Sequence, residues 1–203
     1  MMKVLIIGAS GSIGQVTRQY FLQHSNDTLT LMARHTQNLQ LSLDSTREQI
    51  ITGDALNQTQ LQVALENQDV VFVAVSGAIK QIAQILVKQM PLFHLNRLIF
   101  ITSMGIYNEI PAAIDPKGNL ITNPILTPYR KAADIIESSS LNYTIIRPGW
   151  FDNGNDTAYQ LTQKGEPFGG YDVSRLSIAD LVLRLVHDPN LGRRKSLGIN
   201  RIN

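Results

Sequence analysis

The chain of 203 residues contains no cysteine. This absence excludes disulfides, thiolate nucleophiles, zinc–thiolate sites and iron–sulfur clusters. Its four histidines, His24, His35, His94 and His187, stand far apart, and none forms a metal-ligand spacing with another histidine or with a carboxylate pair. We therefore predict no metal site. No Gly-x-Ser-x-Gly motif surrounds Ser103, so a hydrolase is not indicated either.

Long apolar runs and strong charge are also missing. The longest apolar candidate, residues 70–75, is far shorter than the roughly 20 residues that span a bilayer. The apolar start leads directly into glycines without a cleavage site, which indicates a buried strand and not a signal peptide. The formal net charge is only +2, and the basic cluster 193–195 has no interleaved aromatic residues. We predict a cytoplasmic protein that binds neither membranes nor nucleic acid.

Strand-like and helix-like segments alternate from the first residues to about Arg147, which predicts a parallel sheet with helices on both faces. Near-continuous apolar runs, typical of strands buried on both faces, predict most of the strands. The predicted strands are 3–7, 28–33, 49–52, 70–75, 98–102, 143–147 and a last short one at 196–200. The predicted helices between them are 12–23, 58–66, 79–89 and 127–139.

A further helix, ending near His187, is predicted from a capping box in which Ser177 is the N-cap and Asp180 the third helical residue. Residues 104–125 contain three prolines and no sustained periodicity, which predicts a long loop at the carboxyl end of a central strand. Together the elements predict one domain over residues 1–203, a doubly wound α/β sheet of the Rossmann type. Because sheets of this type bind nucleotide cofactors at the carboxyl ends of their strands, we expect residues 1–149 to form a cofactor-binding core and the small segment 150–203 to complete the substrate side.

The strongest local signal is a strand that runs directly into three glycines spaced three apart, in the sequence Gly8-Ala9-Ser10-Gly11-Ser12-Ile13-Gly14. This strand–turn–helix context is typical of a dinucleotide-binding turn. We expect Gly8 to allow the tight turn, Gly11 to let the backbone approach a pyrophosphate, and Gly14 to allow close helix packing. The helix from Ser12 would direct the backbone N–H groups of its first turn, including that of Ile13, at the phosphates. Ser10 would add a hydroxyl donor.

The choice between the two nicotinamide cofactors is made about 20 residues further on. The second strand ends in Arg34-His35 and no acidic residue stands there. A guanidinium can bind a 2′-phosphate in bidentate fashion, so Arg34 favours NADP(H), with NAD(H) as the less favoured ligand. The alternative is an ordinary surface arginine at a strand end.

The ends of the third and fourth strands also carry candidate cofactor residues. Asp54, followed by Ala55, could approach the adenine amino group, while Asn57 is an equally good N-cap for the next helix. After the fourth strand, Val75 and Gly77 lie where the backbone would pass close to the cofactor's ribose and pyrophosphate.

These motifs together resemble the atypical short-chain dehydrogenase/reductases, specifically the NmrA-like, NAD(P)H-binding group. The motifs that carry the resemblance are residues 8–14, Arg34, Gly53-Asp54, Ile101-Thr102-Ser103-Met104-Gly105 and Tyr143-Thr144-Ile145-Ile146-Arg147-Pro148-Gly149. The resemblance implies a Rossmann sheet and a nicotinamide cofactor, with Pro148 at the nicotinamide end. The group mixes reductases, isomerases and non-catalytic redox sensors, so it does not define the reaction.

Catalytic members of the family pair a serine after the fifth strand with a tyrosine and a lysine four residues later. Ser103 stands in the serine position. Alignment of the following helix through Ala132-Ala133-Asp134 places Arg130 at the lysine position and Leu126 at the tyrosine position, so the usual dyad is absent. Arg130 could still bind the nicotinamide ribose or a phosphate, although its pKa is too high for proton shuttling. Tyr107 is the best substitute acid, with an ordinary loop tyrosine as the alternative.

Trp150 and Phe151 follow the sixth strand and either form an aromatic platform at the nicotinamide end or pack beneath the C-terminal segment. The short remainder of the chain predicts a shallow site for a small or flat substrate. Two functions fit these features. One is an NADPH-dependent reductase of a quinone, flavin or carbonyl. The other is a protein that senses the NADP(H) pool and signals through a protein partner without turnover.

Overall fold

The computed structural model describes residues 1–40 and 42–202. The strands are β1 (Lys3–Ile7), β2 (Thr28–Ala33), β3 (Glu48–Thr52), β4 (Val70–Val73), β5 (Arg97–Ile101), β6 (Asn142–Pro148), β7 (Trp150–Asp152), β8 (Tyr159–Gln163), β9 (Asp172–Ser174) and β10 (Lys195–Arg201). The α-helices are α1 (Ser12–His24), α2 (Gln37–Gln40), α3 (Gln58–Leu65), α4 (Ile79–Gln89), α5 (Thr127–Glu137) and α6 (Arg175–His187). Short 3₁₀ helices span Met90–Phe93 and Pro124–Leu126.

Eight strands form one sheet in the order β3-β2-β1-β4-β5-β6-β10-β8. All neighbours in it are parallel except β8, which runs antiparallel to β10 at one edge. The chain starts in the middle of the sheet, moves outward to β3 and then returns to β4 on the other side of β1. This reversal creates the crevice at which open α/β sheets bind ligands. The predicted doubly wound Rossmann sheet is confirmed.

Helices cover both faces of this sheet and bury two hydrophobic cores. Alternate residues of each strand point to opposite faces, so Leu5 and Ile7 of β1 contribute to one core and Val4 and Ile6 to the other. The first core packs under α3, α4 and α5, and the second packs under α1 and α6. In the part of the chain that the structure describes, every helix is too short or too polar to cross a bilayer.

The C-terminal part differs most from its prediction. Helix α6 begins at Arg175, before the predicted start, because the hydroxyl of Ser174 accepts the N–H of Ser177 at 2.9 Å and is the true N-cap. The capping box assigned to Ser177 and Asp180 is therefore wrong. The carboxylate of Asp180 instead accepts hydrogen bonds from the hydroxyls of Tyr20 at 2.8 Å and Tyr159 at 2.7 Å.

Three short strands are missing from the sequence prediction, and one of them changes the edge of the sheet. The last strand, β10, does not finish the sheet, because β8 adds outside it. Strands β7 and β9 form a separate two-stranded ribbon. The segment after Gly149 thus supplies two strands of the main sheet, the two-stranded ribbon and helix α6.

Candidate functional site

The carboxyl ends of the parallel strands meet at one edge of the sheet, and a cavity of about 280 Å³ opens there between the ends of β1, β2, β3 and β4. Eight of the residues predicted to bind cofactor line it together. They are Gly8, Ser10, Gly11, Arg34, Asp54, Ala55, Val75 and Gly77. Ser12, Ile13 and Gly14 lie in the first turn of α1, directly after this lining. The structure therefore brings the separate sequence motifs to one place.

The turn after β1 depends on two of its glycines for steric reasons. Gly8 has a φ of +89°, and a Cβ there would lie 2.3 Å from the carbonyl oxygen of Ala74. At Gly14 a Cβ would lie 2.3 Å from the carbonyl oxygen of Gly8, so α1 can pack against the turn only without a side chain. The tight turn and the close packing predicted for these two residues are thus seen directly.

Helix α1 presents uncapped N–H groups at the cavity. Its N-cap is Gly11, which has no side chain, and within residues 1–40 and 42–202 no side-chain cap bonds its first turn. The first N–H groups of a helix have no acceptor within the helix, and the helix dipole places partial positive charge there. Ser12 begins the helix and is exposed, whereas Ile13 and Gly14 are buried. The N-terminus of α1 has the donors and the charge that bind an anionic group.

Arg34 follows β2 on the rim of the cavity. It is exposed, and among the described residues its guanidinium forms no salt bridge. The buried Arg18 behaves differently, since its Nε and Nη2 both donate to the Glu48 carboxylate, at 2.5 and 2.7 Å, and it also donates to Ser42. Arg34 thus keeps a set of guanidinium donors for a ligand.

Residues that follow β3 and β4 complete the lining of the cavity. Asp54 accepts the N–H of Leu56 at 2.9 Å, while Asn57 caps α3 by accepting the N–H of Gln60 at 3.1 Å. The cap proposed for Asn57 is therefore confirmed, and Asp54 is a separate residue on the cavity wall. At Gly77, φ is +87° and an added Cβ would meet no atom within 4 Å. Glycine is favoured at this position by the backbone conformation and not by crowding from the protein.

Ser103 comes directly after β5 at the same edge of the sheet. It is half-buried between Thr102, whose N–H donates to Ile146, and Met104, whose N–H donates to Pro148 at 3.2 Å. Ser103 and Pro148 therefore lie at the ends of two neighbouring strands. Neither lines the 280 Å³ cavity, and both stand on the β5–β6 side of it.

Tyr107, predicted as a substitute acid, and Arg130, predicted as a cofactor residue, both donate to carboxylates of α5. The hydroxyl of Tyr107 donates to Glu137 at 2.8 Å, and burial, together with that carboxylate, raises the pKa of Tyr107. The guanidinium of Arg130 donates to Asp134 at 2.7 Å and to the carbonyl of Ile106 at 3.2 Å. Neither residue lines the cavity.

A buried ion pair that the sequence prediction missed fixes the loop after β5. Arg147 of β6 is fully buried and donates to the carboxylate of Glu109 and to the hydroxyl of Ser196. The same carboxylate accepts the N–H groups of Gly105 at 3.0 Å and Tyr107 at 2.9 Å. Glu109 thus ties the segment that follows Ser103 to the strand that ends in Pro148.

The ribbon of β7 and β9 stands where β6 leaves the sheet. Trp150 is paired with Asp172 and Phe151 with Val173, so the two aromatic rings lie on opposite faces of the ribbon. Trp150 is 60% exposed, and Phe151 is 40% exposed with the guanidinium of Arg175 4.7 Å from its ring centroid. The two rings do not make one platform, and neither packs beneath the C-terminal segment.

The side chain of Arg201 links carboxylates on both strands of this ribbon. Arg201 contacts Asp152 at 3.0 Å, Asp156 at 3.0 Å and Asp172 at 2.8 Å. The hydrogen bonds that Arg201 donates to these carboxylates, above all to Asp156, raise the pKa of Arg201. The N–H of Gly154 and the Arg201 guanidinium lower the pKa of Asp152. The face of the ribbon that carries Trp150 is therefore ordered and rich in carboxylates.

The described parts of the chain contain no set of side chains that could bind a metal ion. Residues 1–40 and 42–202 contain no group of three or more histidine or carboxylate side chains placed to hold a metal ion. The chemistry of the cavity is that of a glycine turn, an uncapped helix and an arginine. These features together define a nucleotide-binding Rossmann protein.

Comparison with known proteins gives the family. The NAD(P)H-binding family matches residues 8–189, so the chain belongs to that family. It is an atypical short-chain dehydrogenase/reductase with an oxidoreductase-like fold, as its motifs predicted. Protein TIC 62, chloroplastic, of Arabidopsis thaliana is 30% identical over 167 residues. That match takes in 72% of this chain but 25% of the relative, so the chain spans about a quarter of its length.

Two solved structures extend the comparison over nearly the whole chain. A Rossmann-fold NAD(P)-binding family protein from Shigella flexneri is 34% identical, with a TM-score of 0.84 over 99% of this chain and 94% of that one. A short-chain dehydrogenase/reductase from Veillonella parvula, solved in complex with NADP, is 27% identical, with a TM-score of 0.88 over 98% and 94% of the two chains. A nicotinamide cofactor is thus supported for this fold, without fixing which one.

Proposed function

We propose that this protein is an oxidoreductase that uses NADPH to reduce a small acceptor. The observation that carries the proposal is the cavity at the carboxyl edge, bordered by the start of α1 and by Arg34, whose guanidinium forms no salt bridge with any described residue. A 2′-phosphate is the group that distinguishes NADPH from NADH, and an arginine after β2 is its ordinary partner. The complex of the Veillonella parvula relative with NADP is consistent with this choice.

Each residue has a defined part in this proposal. The N–H groups of Gly11, Ser12 and Ile13 and the hydroxyl of Ser10 would hold the diphosphate. Arg34 would hold the 2′-phosphate, and Asp54 and Ala55 would border the adenine. Val75 and Gly77 would lie along the ribose, with Pro148 at the nicotinamide end. When bound, the cofactor supplies a hydride, and Ser103 would hydrogen-bond the acceptor oxygen.

The proposed arrangement gives Arg130 and Tyr107 supporting parts. Both side chains are bonded within the β5–α5 region, with the Arg130 guanidinium 5.0 Å from the Tyr107 ring centroid. They would stabilise the loop that carries Ser103, because Tyr107 holds the start of the loop against Glu137 on α5. The hydroxyl proton of Tyr107 is already donated, so we do not assign the transferred proton to it.

Replacement of Arg34 tests the cofactor preference. Arg34→Ala is expected to weaken NADPH binding by about 1.5–3 kcal/mol, the range for hydrogen bonds to a charged group, and to leave NADH binding nearly unchanged. Arg193→Ala is the matched control, because Arg193 is also exposed and lies away from the cavity. Binding is measured by the fluorescence of the reduced cofactors. Equal losses for both cofactors, or a loss in the control, would contradict the role of Arg34.

A sensor without turnover is the second candidate, and one observation favours it. The position of the usual catalytic lysine is held by Arg130, whose guanidinium is bonded to Asp134. Such a protein would bind NADP(H) and pass the signal to a protein partner. Oxidation of NADPH in the presence of quinones, flavins and aldehydes separates the two functions. Tight binding with no turnover across this panel would support the sensor and contradict the oxidoreductase.

A further inference from the structure

One strongly exposed ring follows directly after the carboxyl end of β6. Trp150 follows Pro148 by two residues and leaves 60% of its surface open, although indole is among the side chains that gain most from contact with a partner. Its backbone is fixed against the β9 segment, because its N–H donates to Tyr171 at 2.9 Å and β7 pairs with β9. The ring is therefore an exposed flat surface on an ordered support.

Acidic side chains surround this ring on its own face of the ribbon. Asp172 is directly paired with Trp150, and Asp152 is two residues further along β7, so both share its face. Asp156 joins them at the guanidinium of Arg201, which contacts all three carboxylates, and Arg175 brings a second positive charge close to Asp152. The surface beside the ring thus carries more negative than positive charge, and it disfavours an anionic acceptor.

Two polar side chains of the region that follows Ser103 already donate their hydrogen bonds to carboxylates. The hydroxyl of Tyr107 is bound to Glu137, and the guanidinium of Arg130 is bound to Asp134. An aldehyde or ketone that accepts hydride becomes an alkoxide, whose negative charge stays on one oxygen. Its reduction therefore needs a general acid that protonates this oxygen. A quinone that accepts hydride spreads the charge over its ring and can take its proton from water.

We infer that the acceptor is an uncharged quinone that stacks on the exposed face of Trp150. This inference rests on the proposed function, since the quinone needs NADPH as its reductant. Two electrons and one proton pass as hydride from the reduced nicotinamide to the quinone. A second proton from solvent completes the hydroquinone, and the cofactor leaves as NADP⁺.

Fluorescence gives a direct test, because Trp150 is the only tryptophan of the chain. Menadione is titrated into protein loaded with NADP⁺, so that no turnover occurs and quenching reports binding alone. We expect saturable quenching, with affinity roughly fivefold higher for menadione than for 1,4-naphthoquinone-2-sulfonate, which adds one negative charge. Asp152→Asn removes one negative charge beside the ring, so it should reduce the difference in affinity between menadione and the sulfonate. Quenching that rises without saturation, or a sulfonate that binds as well as menadione, would overturn the inference.

Substitution of the ring supplies a second readout. Trp150→Ala should raise the KM for menadione roughly three- to tenfold at nearly unchanged kcat, while Trp150→Phe restores most of the loss. Leu92→Ala is the control, because Leu92 is 68% exposed in the 3₁₀ turn after α4 and should leave KM unchanged. An unchanged KM in Trp150→Ala would contradict stacking.

A thermal shift with NADP⁺ is measured on each variant. If NADP⁺ does not raise the melting temperature of the wild type, the proposed function is wrong. If NADP⁺ raises it but menadione does not quench Trp150 saturably, only the quinone inference is wrong.

Discussion

At the scale of single residues, the buried pair of Arg147 and Glu109 shows what holds the substrate side in place. The side chain of Arg147 is 0% exposed and that of Glu109 is 4% exposed, so neither charge is compensated by water. Glu109 also accepts two backbone N–H groups of the loop after β5. Loss of either partner would leave a buried charge with no counter-ion, which is costly.

We therefore predict that Glu109→Gln lowers the free energy of unfolding by about 3–5 kcal/mol, the range for breaking a buried ion pair. Asp134→Asn removes the carboxylate of the exposed pair with Arg130 and should cost less than about 1 kcal/mol. Urea denaturation of the two variants and the wild type measures both values. Similar losses in the two variants would show that burial does not decide the strength of these pairs.

Single residues also show where sequence reasoning reaches its limit. The glycine turn and Arg34 can be recognised from sequence because each belongs to a short stretch that carries its own pattern, and the structure brings both to one cavity. Glu109 and Arg147 are 38 residues apart and meet only when the loop folds over β6. No local pattern marks such a pair. The hydroxyl of Tyr107 is a similar case, because its partner Glu137 lies at the far end of α5.

At the scale of elements, the buried strands and longer helices are those that the sequence predicted best. Strands β1 and β2 and helix α4 have their predicted bounds, because long apolar runs or clear helical periodicity define them. Strands β7 and β9 have three residues each, too few for any periodicity to be recognised. Helix α6 was misplaced because Ser174 and Ser177 are both suitable caps, and only the fold decides between them.

The cap of α3 gives a clean test of an element's local chemistry. Asn57→Ala removes the acceptor for the N–H of Gln60 and should lower the free energy of unfolding by about 1 kcal/mol. Thr59→Ala is the control in the same turn, because Thr59 is exposed and should change stability by less than about 0.5 kcal/mol. Chemical denaturation checks both. A loss at Thr59 as large as that at Asn57 would argue against the cap.

Alkaline pH should weaken the contact of α1, α6 and β8. Burial and the Asp180 carboxylate raise the pKa of Tyr20 and of Tyr159 to about 12 each. In the unfolded chain a tyrosine ionises near pH 10, so above that pH the unfolded state loses protons that the folded state still holds. The stability contributed by this pair is therefore complete below about pH 10 and is lost as the pH rises towards 12.

The unfolding midpoint in urea, measured at several pH values, checks this dependence. The double variant Tyr20→Phe and Tyr159→Phe should lose less stability between pH 10 and 12 than the wild type loses. Tyr171→Phe, in which an exposed ring is changed, should follow the wild-type slope. If the double variant declined as steeply as the wild type, the two hydroxyls would not be the groups responsible.

At the scale of the whole molecule, the order of the strands turns separate motifs into one site. Gly8, Arg34, Asp54 and Gly77 are spread over the first 77 residues and meet because four parallel strands end at the same edge. This assembly was predictable, since alternation of strands and helices implies parallel strands and a shared carboxyl edge. The added edge strand β8 and the ribbon of β7 and β9 were not, because they depend on contacts across the C-terminal segment.

The central claim is that this shared edge binds a nicotinamide dinucleotide and that Arg34 selects the one with a 2′-phosphate. Isothermal titration calorimetry of the wild-type protein with NADP⁺ and, separately, with NAD⁺ at concentrations up to the millimolar range tests it most directly. We predict one site per chain and an affinity for NADP⁺ at least roughly tenfold higher than for NAD⁺, a difference of about 1.4 kcal/mol. No heat of binding with either nucleotide, or an equal affinity for both, would contradict the claim.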